Sequence, residues 1–260
     1  MSEPQINAPD VSVIFPAYNE AAVIAATIGK TIAYFERRGM AYEVIVAADG
    51  NDGTRERVRE LAAQNPSISV LGHPERAGKG RGIREAVCMA RGTIVGYADA
   101  DYKVPAEEFD KVEPWFAAGY QVVIGTRAVE ASLIERKQPL YRRIGSLGFR
   151  TFMRTVVGLK DVTDTQCGFK FFERSVARQL FACQKIDGYM FDVEILALAQ
   201  AFGHRIKEVP IRWRDDGDSR LQLVAGNTRN IIDLFRIRRE MSRIAAEPVP
   251  AEARAAAVRE

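Results

Sequence analysis

Two aspartates separated by one residue follow a strongly apolar run of the chain. Asp99 and Asp101 come directly after residues 93–98, whose composition predicts a buried strand. Residues two apart in an extended segment point to the same side, so both carboxylates can face one cation. Hard divalent ions prefer oxygen ligands and often share a site with substrate phosphates. The pattern predicts a metal site that would neutralise a leaving diphosphate; the alternative is an ordinary polar turn.

Three more polar clusters follow predicted elements of the first half. In P-A-Y-N-E, Tyr18 could stack on a base and Glu20 could bind a ribose or base edge, while Asn19 could cap a helix. Asp49 could accept a hydrogen bond from a uracil N–H, although the D-G turn that it opens is a common one. Lys79 of G-K-G could reach a diphosphate. Without the full P-loop pattern, this string equally suits a solvated helix start.

The second half carries acidic, amide and basic groups. Asp164 opens D-T-Q-C-G-F-K, in which the glycine permits close approach of another group. Asp192 and Glu194 lie near a predicted helix start, where Asp192 could simply favour the helix dipole. Arginine forks suit phosphate oxygens, so several basic residues could converge on an anionic acceptor, with solvent-facing charge as the alternative. This candidate acceptor group consists of Arg127, Arg142, Arg143, Ser146 and Arg220.

Alternating strand and helix patterns must position these clusters. Such alternation is typical of a parallel sheet covered by helices, so we predict an α/β fold. Ligands of open α/β sheets bind outside the carboxyl ends of the strands. The polar residues that share this edge are Asn19, Glu20, Asp49, Asp99 and Asp101. The predicted strands are 11–15, 42–47, 67–71, 93–98, 121–126, 168–172 and an edge strand at 205–213. The predicted helices are 19–38, 54–64, 82–90, one after Pro105, 191–202 and 221–244.

The composition excludes several functional classes. The formal net charge is only +3, so we expect no nucleic-acid partner. Three cysteines without CxxC spacing and two histidines argue against a disulfide framework and a zinc site. With no signal peptide and no apolar stretch of about 20 residues, we expect a cytoplasmic protein. The basic and apolar segment 136–154 suits peripheral contact with the inner face of an anionic membrane.

The ordered set of motifs resembles glycosyltransferase family 2. The first half contributes P-A-Y-N-E, D-G-N-D-G-T, G-K-G and D-A-D in that order. The second half is similar to the branch of dolichyl-phosphate β-glucosyltransferases and polyprenyl-phosphate glycosyltransferases. It shares G-T-R at 125–127, D-T-Q-C-G-F-K at 164–170, F-D-V-E at 191–194 and G-D-S-R at 217–220. The resemblance implies a GT-A fold, with a mostly parallel central sheet flanked by helices and a Rossmann-like nucleotide-binding half.

The resemblance implies an inverting enzyme that transfers a sugar, glucose first among the candidates, from a UDP-sugar to a polyprenyl phosphate. The nucleoside would be held by Pro16, Tyr18, Glu20 and Asp49. The diphosphate and a Mg²⁺ or Mn²⁺ cofactor would be held by Asp99 and Asp101, with Lys79 beside the diphosphate. The acceptor phosphate would be bound by Arg127, Arg142, Ser146 and Arg220.

The acceptor decides which residues are catalytic. A phosphate is already anionic and needs no general base, so positioning and charge stabilisation, with Asp101 as a catalytic candidate, would carry the reaction. A soluble or natural-product hydroxyl would require a carboxylate base. The candidates for that base are Asp164, Asp192 and Glu194. A further alternative is a non-catalytic protein that binds sugar nucleotides.

Domain boundaries and two departures from the family complete the expectations. We expect one domain over 11–240, between a tail at 1–10 and a disordered tail at 241–260. Residues 11–127 would form the nucleotide-sugar half and 128–240 the acceptor half. Two family positions differ, since Ala48 replaces the first Asp of a D-D-G turn and Lys103 replaces a metal-binding Gln or Asp. A lysine cannot ligate the metal, so we expect thinner metal coordination than in relatives.

Overall fold

A computed structural model describes residues 8–127, 155–159, 162–214 and 228–246 of the chain. The strands are β1 (Val11–Tyr18), β2 (Tyr42–Asp49), β3 (Ile68–Leu71), β4 (Ile94–Ala98), β5 (Val122–Thr126), β6 (Phe169–Glu173) and β7 (Ile206–Pro210). The α-helices are α1 (Ile24–Arg38), α2 (Thr54–Gln64), α3 (Lys79–Met89), α4 (Glu113–Ala117), α5 (Arg174–Cys183), α6 (Phe191–Ala201) and α7 (Thr228–Ala246). A 3-10 helix, Ala106–Lys111, precedes α4.

The seven strands form one mixed sheet in the order β3-β2-β1-β4-β6-β5-β7. Neighbouring strands run parallel, except that β6 runs antiparallel to both β4 and β5. The predicted mostly parallel α/β fold is therefore confirmed, and β7 lies at the sheet edge as predicted. Because β6 lies beside β4, the second half of the chain comes next to the end of β4, which Asp99 directly follows.

Helices cover both faces of the sheet. Side chains alternate between the faces along a strand, so Ile14 of β1 packs in the layer with α3, α5 and α6, whereas Val13 and Phe15 pack in the layer with α1. Helix α6 is buried on every side from Phe191 to Ala199. The sheet is thus a rigid, doubly covered support for groups at its carboxyl edge.

The start of α1 differs from the prediction. Asn19 does not cap this helix, because its φ of 56° places it in the left-handed region and the helix begins at Ile24. The backbone N–H groups of Val23 and Ile24 instead donate to the carbonyl of Glu20. The cap prediction was wrong, and the residues after β1 form a turn at the sheet edge.

Other boundaries shift by a few residues. Strand β1 continues through Pro16, with Tyr18 opposite Asp49 of the parallel neighbour β2, so the proline does not end it. Helix α3 begins at Lys79, three residues earlier than predicted. Helix α5 was not predicted. Helix α7 reaches Ala246 and so passes residue 240, where the domain was expected to end.

None of the helices in the described ranges combines the length and apolar composition needed to cross a membrane.

Candidate active site

The carboxyl ends of three adjacent strands bring the predicted donor residues to one edge. Tyr18 and Asp49 are register partners at the ends of β1 and β2. Asp99 follows β4, which pairs with β1 on its other side. Because the three strands are parallel neighbours, their carboxyl ends lie at the same edge of the sheet, where ligands of open α/β sheets bind.

Each aspartate of D-A-D is paired with a lysine. The Lys79 Nζ lies 2.7 Å from Asp99 Oδ1, and the Lys103 Nζ lies 3.0 Å from Asp101 Oδ2. Burial would lower the pKa of Lys79, but the Asp99 carboxylate outweighs it and raises that pKa. Likewise, burial would raise the pKa of Asp99, whereas Lys79, with smaller contributions from Arg127 and Lys170, lowers it. Asp99 is therefore held as a carboxylate, and each aspartate of the motif lies beside one lysine side chain.

These carboxylates suit a divalent cation whose remaining ligands come from the substrate. No cluster of three His, Cys, Asp or Glu side chains suited to a metal occurs among the described residues. Mg²⁺ is commonly held by one or two carboxylates together with substrate phosphates. Asp99 and Asp101 could supply the carboxylates, and a bound diphosphate the phosphate oxygens. Lys103 contacts Asp101 at 3.0 Å and cannot itself ligate a cation, so D-A-D offers two carboxylate side chains here.

A glycine of the second half forms the wall beside Asp99. The Asp99 N–H donates to the Gly168 carbonyl at 3.0 Å. A Cβ added to Gly168 would lie 2.0 Å from Asp99 Oδ2, so no larger residue fits without displacing the carboxylate. The close approach that the sequence suggested at this glycine is therefore to Asp99 itself.

The G-K-G string presents a side chain and not a backbone cradle. The N–H groups of Gly80 and Arg81 donate to the Asp187 carbonyl at 2.8 and 3.3 Å. Gly78 has a φ of 114°, and a Cβ added there would lie 2.4 Å from the same carbonyl oxygen. What this motif offers to a phosphate is the Lys79 ammonium group, which is consistent with the absent P-loop pattern.

Asp49 organises the loop that follows β3. Its Oδ1 accepts the His73 N–H at 3.1 Å and its Oδ2 accepts the Ala77 N–H at 2.8 Å. This loop carries Arg76, whose guanidinium lies 4.6 Å from the ring centroid of Tyr18. Arg76 also donates to the Tyr189 hydroxyl at 3.3 Å. Sequence reasoning missed Arg76 and Tyr189, because only the folded chain brings them to Tyr18.

Pro16 and Glu20 lie two residues before and two residues after Tyr18 in the chain. Pro16 lies within β1, opposite Ala47 of β2. The Glu20 N–H donates to Thr54 Oγ1 at 3.0 Å, which ties the end of β1 to the start of α2. Tyr18 is 38% exposed, and the Arg76 guanidinium lies over its ring, so a planar ligand would stack on the ring beside this cation.

Arg127 and Asp164 form a two-pronged ion pair at the end of β5. Arg127 donates from Nε at 2.7 Å and from a terminal nitrogen at 2.9 Å to the two Asp164 oxygens. Burial would raise the pKa of Asp164, but the guanidinium beside it lowers that pKa from 3.8 to about 2. The Asp164 and Thr163 N–H groups donate to Glu208 of β7 at 3.0 and 2.9 Å. Asp164 thus holds Arg127 in place.

Asp192 and Glu194 lie on the buried helix α6. Asp192 Oδ1 accepts the Lys170 ammonium at 2.6 Å and the Tyr97 hydroxyl at 2.5 Å. The two Glu194 oxygens accept the N–H groups of Lys185 and Ile186 at 2.9 and 2.8 Å. Burial raises the pKa of Glu194, although these N–H groups oppose the rise. Sequence reasoning did not single out Lys170, whose pairing depends on β6 lying beside β4.

Four residues of the predicted acceptor group cannot be compared with the structure. Arg142, Arg143, Ser146 and Arg220 lie outside the described residues, as does the whole of the basic segment 136–154. Only Arg127 of that group falls within them.

Comparisons with known proteins agree with this architecture. The family description "Glycosyl transferase family 2" matches residues 12–181. A dolichyl-phosphate beta-glucosyltransferase of Trichomonas vaginalis is 35% identical over 86% of this chain and 69% of the relative. One from Dictyostelium discoideum is 32% identical over 88% of this chain and 73% of the relative.

A solved structure has the same fold. Glucosyl-3-phosphoglycerate synthase from Mycobacterium tuberculosis, in complex with Mn²⁺ and UDP-glucose, superposes with a TM-score of 0.58 at 18% identity, covering 93% of this chain and 81% of that one. The match of the family description, the identities with curated relatives and the shared GT-A architecture lead to one conclusion: the chain is a glycosyltransferase that belongs to glycosyltransferase family 2.

Proposed function

We propose that this glycosyltransferase moves glucose from UDP-glucose to a polyprenyl phosphate, with inversion at the anomeric carbon. The observation that carries the proposal is the proximity of two charged pairs, Lys79–Asp99 and Arg127–Asp164. One short segment of the chain joins the two pairs, since Asp164 accepts the Arg127 Nε–H at 2.7 Å and Gly168, four residues later, accepts the Asp99 N–H at 3.0 Å. A cation suited to an acceptor phosphate therefore lies beside the carboxylate suited to the donor diphosphate.

The donor assignment rests on the edge formed by β1, β2 and β4. Pro16, Tyr18, Glu20 and Asp49 would hold the nucleoside, with the exposed Tyr18 ring available for stacking on the base. UDP-glucose is the donor bound in the Mycobacterium tuberculosis structure, and the curated relatives are named as glucosyltransferases. These facts support glucose and uridine as the first sugar and base to examine.

The negative charge of the leaving UDP would be neutralised by a metal ion held by the two aspartates and by the two lysines of this edge. Asp99 and Asp101 would hold Mg²⁺ or Mn²⁺, and the bound ion would supply positive charge to the diphosphate oxygens. Lys79 and Lys103 would each exchange a carboxylate partner for a phosphate oxygen. Because opposite charges already surround the site, little reorganisation is needed when the leaving group develops its charge.

The acceptor is assigned as a phosphate because the candidate bases are already engaged. Asp164 is held by Arg127, Asp192 by Lys170, and Glu194 by two backbone N–H groups. A phosphate oxygen needs no base, so a positioned arginine suffices to orient it for attack. Arg127 would do this together with Arg142, Ser146 and Arg220. The names of the curated relatives support a dolichyl-type phosphate.

A polyprenyl acceptor would bring the enzyme to a membrane. Its isoprenoid chain is apolar and its phosphate lies at the water interface, so the protein must reach the lipid surface. We propose peripheral contact through segment 136–154 on the inner face of the membrane, since that segment mixes basic with bulky apolar residues.

The acceptor class can be tested with a matched pair of lipids. Purified enzyme with UDP-glucose and Mn²⁺ would receive either a polyprenyl phosphate or the polyprenol of the same length in detergent. We expect a glucolipid only from the phosphate. Transfer to the polyprenol or to a soluble hydroxyl would contradict the phosphate assignment, and donor binding without transfer to any acceptor would indicate a non-catalytic protein. GDP-glucose in place of UDP-glucose serves as the control for the identity of the nucleotide base.

A further inference from the structure

A lysine lies fully buried in the middle of the sheet. Lys170 of β6 is the register partner of Tyr97 on β4 and of Ile124 on β5. Its side chain has 0% exposure. Burying an ammonium ion is costly unless it is paired and hydrogen-bonded, so its contacts show what the protein gains from it.

The Lys170 ammonium joins a helix to a loop. Its Nζ donates to Asp192 Oδ1 and to the Cys167 carbonyl, each at 2.6 Å. The Tyr97 hydroxyl donates to the same Asp192 oxygen at 2.5 Å. Asp192 lies in the first turn of α6, where the helix dipole favours an anion. Lys170 thereby connects the start of α6 with the backbone just before β6.

That backbone is the wall of the donor site. Cys167 precedes Gly168, whose carbonyl accepts the Asp99 N–H at 3.0 Å. Gly168 leaves no room for a Cβ against the Asp99 carboxylate. A displacement of the Cys167 carbonyl would therefore move the surface on which Asp99 rests.

Stability alone does not account for this pair. Apolar residues of similar volume in place of a buried ion pair are often neutral or stabilising, because desolvation offsets much of the attraction. We propose that Lys170, paired with Asp192, is a positioning residue for donor binding that fixes the Cys167–Gly168 backbone and through it the orientation of Asp99. This inference rests on the proposed function, since it takes Asp99 to be a donor-site residue.

A double variant separates positioning from folding. The single change Lys170→Met would leave Asp192 buried without its cation, which endangers the fold. Lys170→Met/Asp192→Asn removes both charges, keeps similar side-chain sizes and leaves an oxygen for the Tyr97 hydroxyl. We expect it to unfold at nearly the wild-type temperature. Its Kd for UDP-glucose with Mn²⁺, measured by calorimetry, should rise about tenfold or more, as is usual when a group supporting a ligand-binding residue is removed.

A control in the same strand tests for a general loss of order. Phe172 lies on the same face of β6 as Lys170 and packs against Tyr97 and Phe181, but it has no charge and makes no hydrogen bond to the Cys167 carbonyl through its side chain. Phe172→Leu should lower the unfolding temperature without changing the Kd for UDP-glucose. In turnover, the double variant should raise KM for UDP-glucose and leave KM for the polyprenyl phosphate unchanged.

The outcomes separate this inference from the proposed function. A folded double variant with the wild-type Kd for UDP-glucose would overturn the positioning role alone. A double variant that does not fold would also overturn it, because the pair would then serve the fold. If wild-type protein does not bind UDP-glucose, the proposed function fails instead.

Discussion

The charged side chains around Asp99 come in opposite pairs. Lys79 meets Asp99, Lys103 meets Asp101, and Arg127 meets Asp164. A bound diphosphate or acceptor phosphate would thus exchange partners with existing pairs and would not meet an isolated charge. Such an arrangement keeps the net charge of the site near zero before the substrates bind. Each carboxylate has its own partner, so the effect of each can be measured with a single substitution.

Asp101 can be changed without disturbing the core, because its side chain is 39% exposed. We expect Asp101→Asn to reduce kcat on the order of 100-fold, the usual loss for one preorganised electrostatic contact to a transition state. The unfolding temperature should stay unchanged. Asp110→Asn is the control, since Asp110 is exposed and pairs with Arg38 elsewhere. Wild-type turnover by Asp101→Asn would contradict the role of the D-A-D pair.

Asp164 should make stability depend on pH in the acid range. Arg127, against the effect of burial, lowers the pKa of Asp164 from 3.8 to about 2. A carboxyl whose pKa is lower in the folded state contributes stability above its unfolded pKa and loses that contribution as pH falls through the folded pKa. The contribution is roughly 2 kcal/mol.

Urea unfolding of wild type and Asp164→Asn measures this contribution. At pH 5 the variant should be less stable by about 3 kcal/mol, because Arg127 loses its buried partner. The difference in unfolding free energy should narrow as pH falls from 4 towards 2. A difference that stays constant over this range would show that Asp164 is not held ionised by Arg127.

At the scale of elements, local patterns predicted helices with clear stops. Helix α2 has the predicted bounds, since Gly53 precedes it and Pro66 lies just beyond its end. Helix α5 was overlooked although its buried residues have helical spacing: Val176, Ala177, Leu180 and Phe181. The signal was present there, but the segment is short and follows β6 without a loop.

Only the site residues that directly follow a predicted strand could be predicted from the sequence. The position of Asp99 after a buried strand followed from the sequence, because carboxyl ends of parallel strands meet at one edge. The contacts of Gly168 and Lys170 with the β4 end did not, since they require β6 to run antiparallel between β4 and β5. No local pattern specifies such a pairing between residues about 70 positions apart.

The contact between the β6 loop and the β4 end gives a prediction at this scale. Gly168→Ala should weaken UDP-glucose binding strongly, because the added Cβ would lie 2.0 Å from Asp99 Oδ2. Gly188→Ala is the matched control, since a Cβ there has no atom within 4 Å. Calorimetric titration of both variants with UDP-glucose and Mn²⁺ provides the comparison. Equal affinities would refute the steric role of Gly168.

At the scale of the whole molecule, one sheet supports both the proposed donor residues and the proposed acceptor residue Arg127. The proposed donor residues follow β1, β2 and β4. Arg127 follows β5, and its partner Asp164 is held in turn by Glu208 of β7. The antiparallel β6 lies between the two groups of strands. The proposed donor and acceptor residues therefore belong to one packed body, and binding at the edge should stabilise the entire domain.

Ligand binding should therefore raise the unfolding temperature. A ligand at 100 times its Kd adds about 2.7 kcal/mol of stability, which for a chain of this size corresponds to a rise of about 5 °C or more. We expect this rise with UDP-glucose and Mn²⁺ and a smaller one after EDTA treatment. Asp99→Asn should abolish it. A rise that is the same with and without the metal would contradict the shared metal and diphosphate site.

The configuration of the product tests the central claim most directly. In UDP-glucose the sugar is α-linked, so displacement by an acceptor phosphate with inversion must give a β-glucosyl phosphate. The enzyme would be incubated with UDP-glucose, Mn²⁺ and a short polyprenyl phosphate, and the anomeric proton coupling of the product measured by NMR. We predict β-glucosyl polyprenyl phosphate from wild type, and the same product formed on the order of 100-fold more slowly by Asp101→Asn. An α-linked product, or glucose attached to a hydroxyl group, would contradict the account.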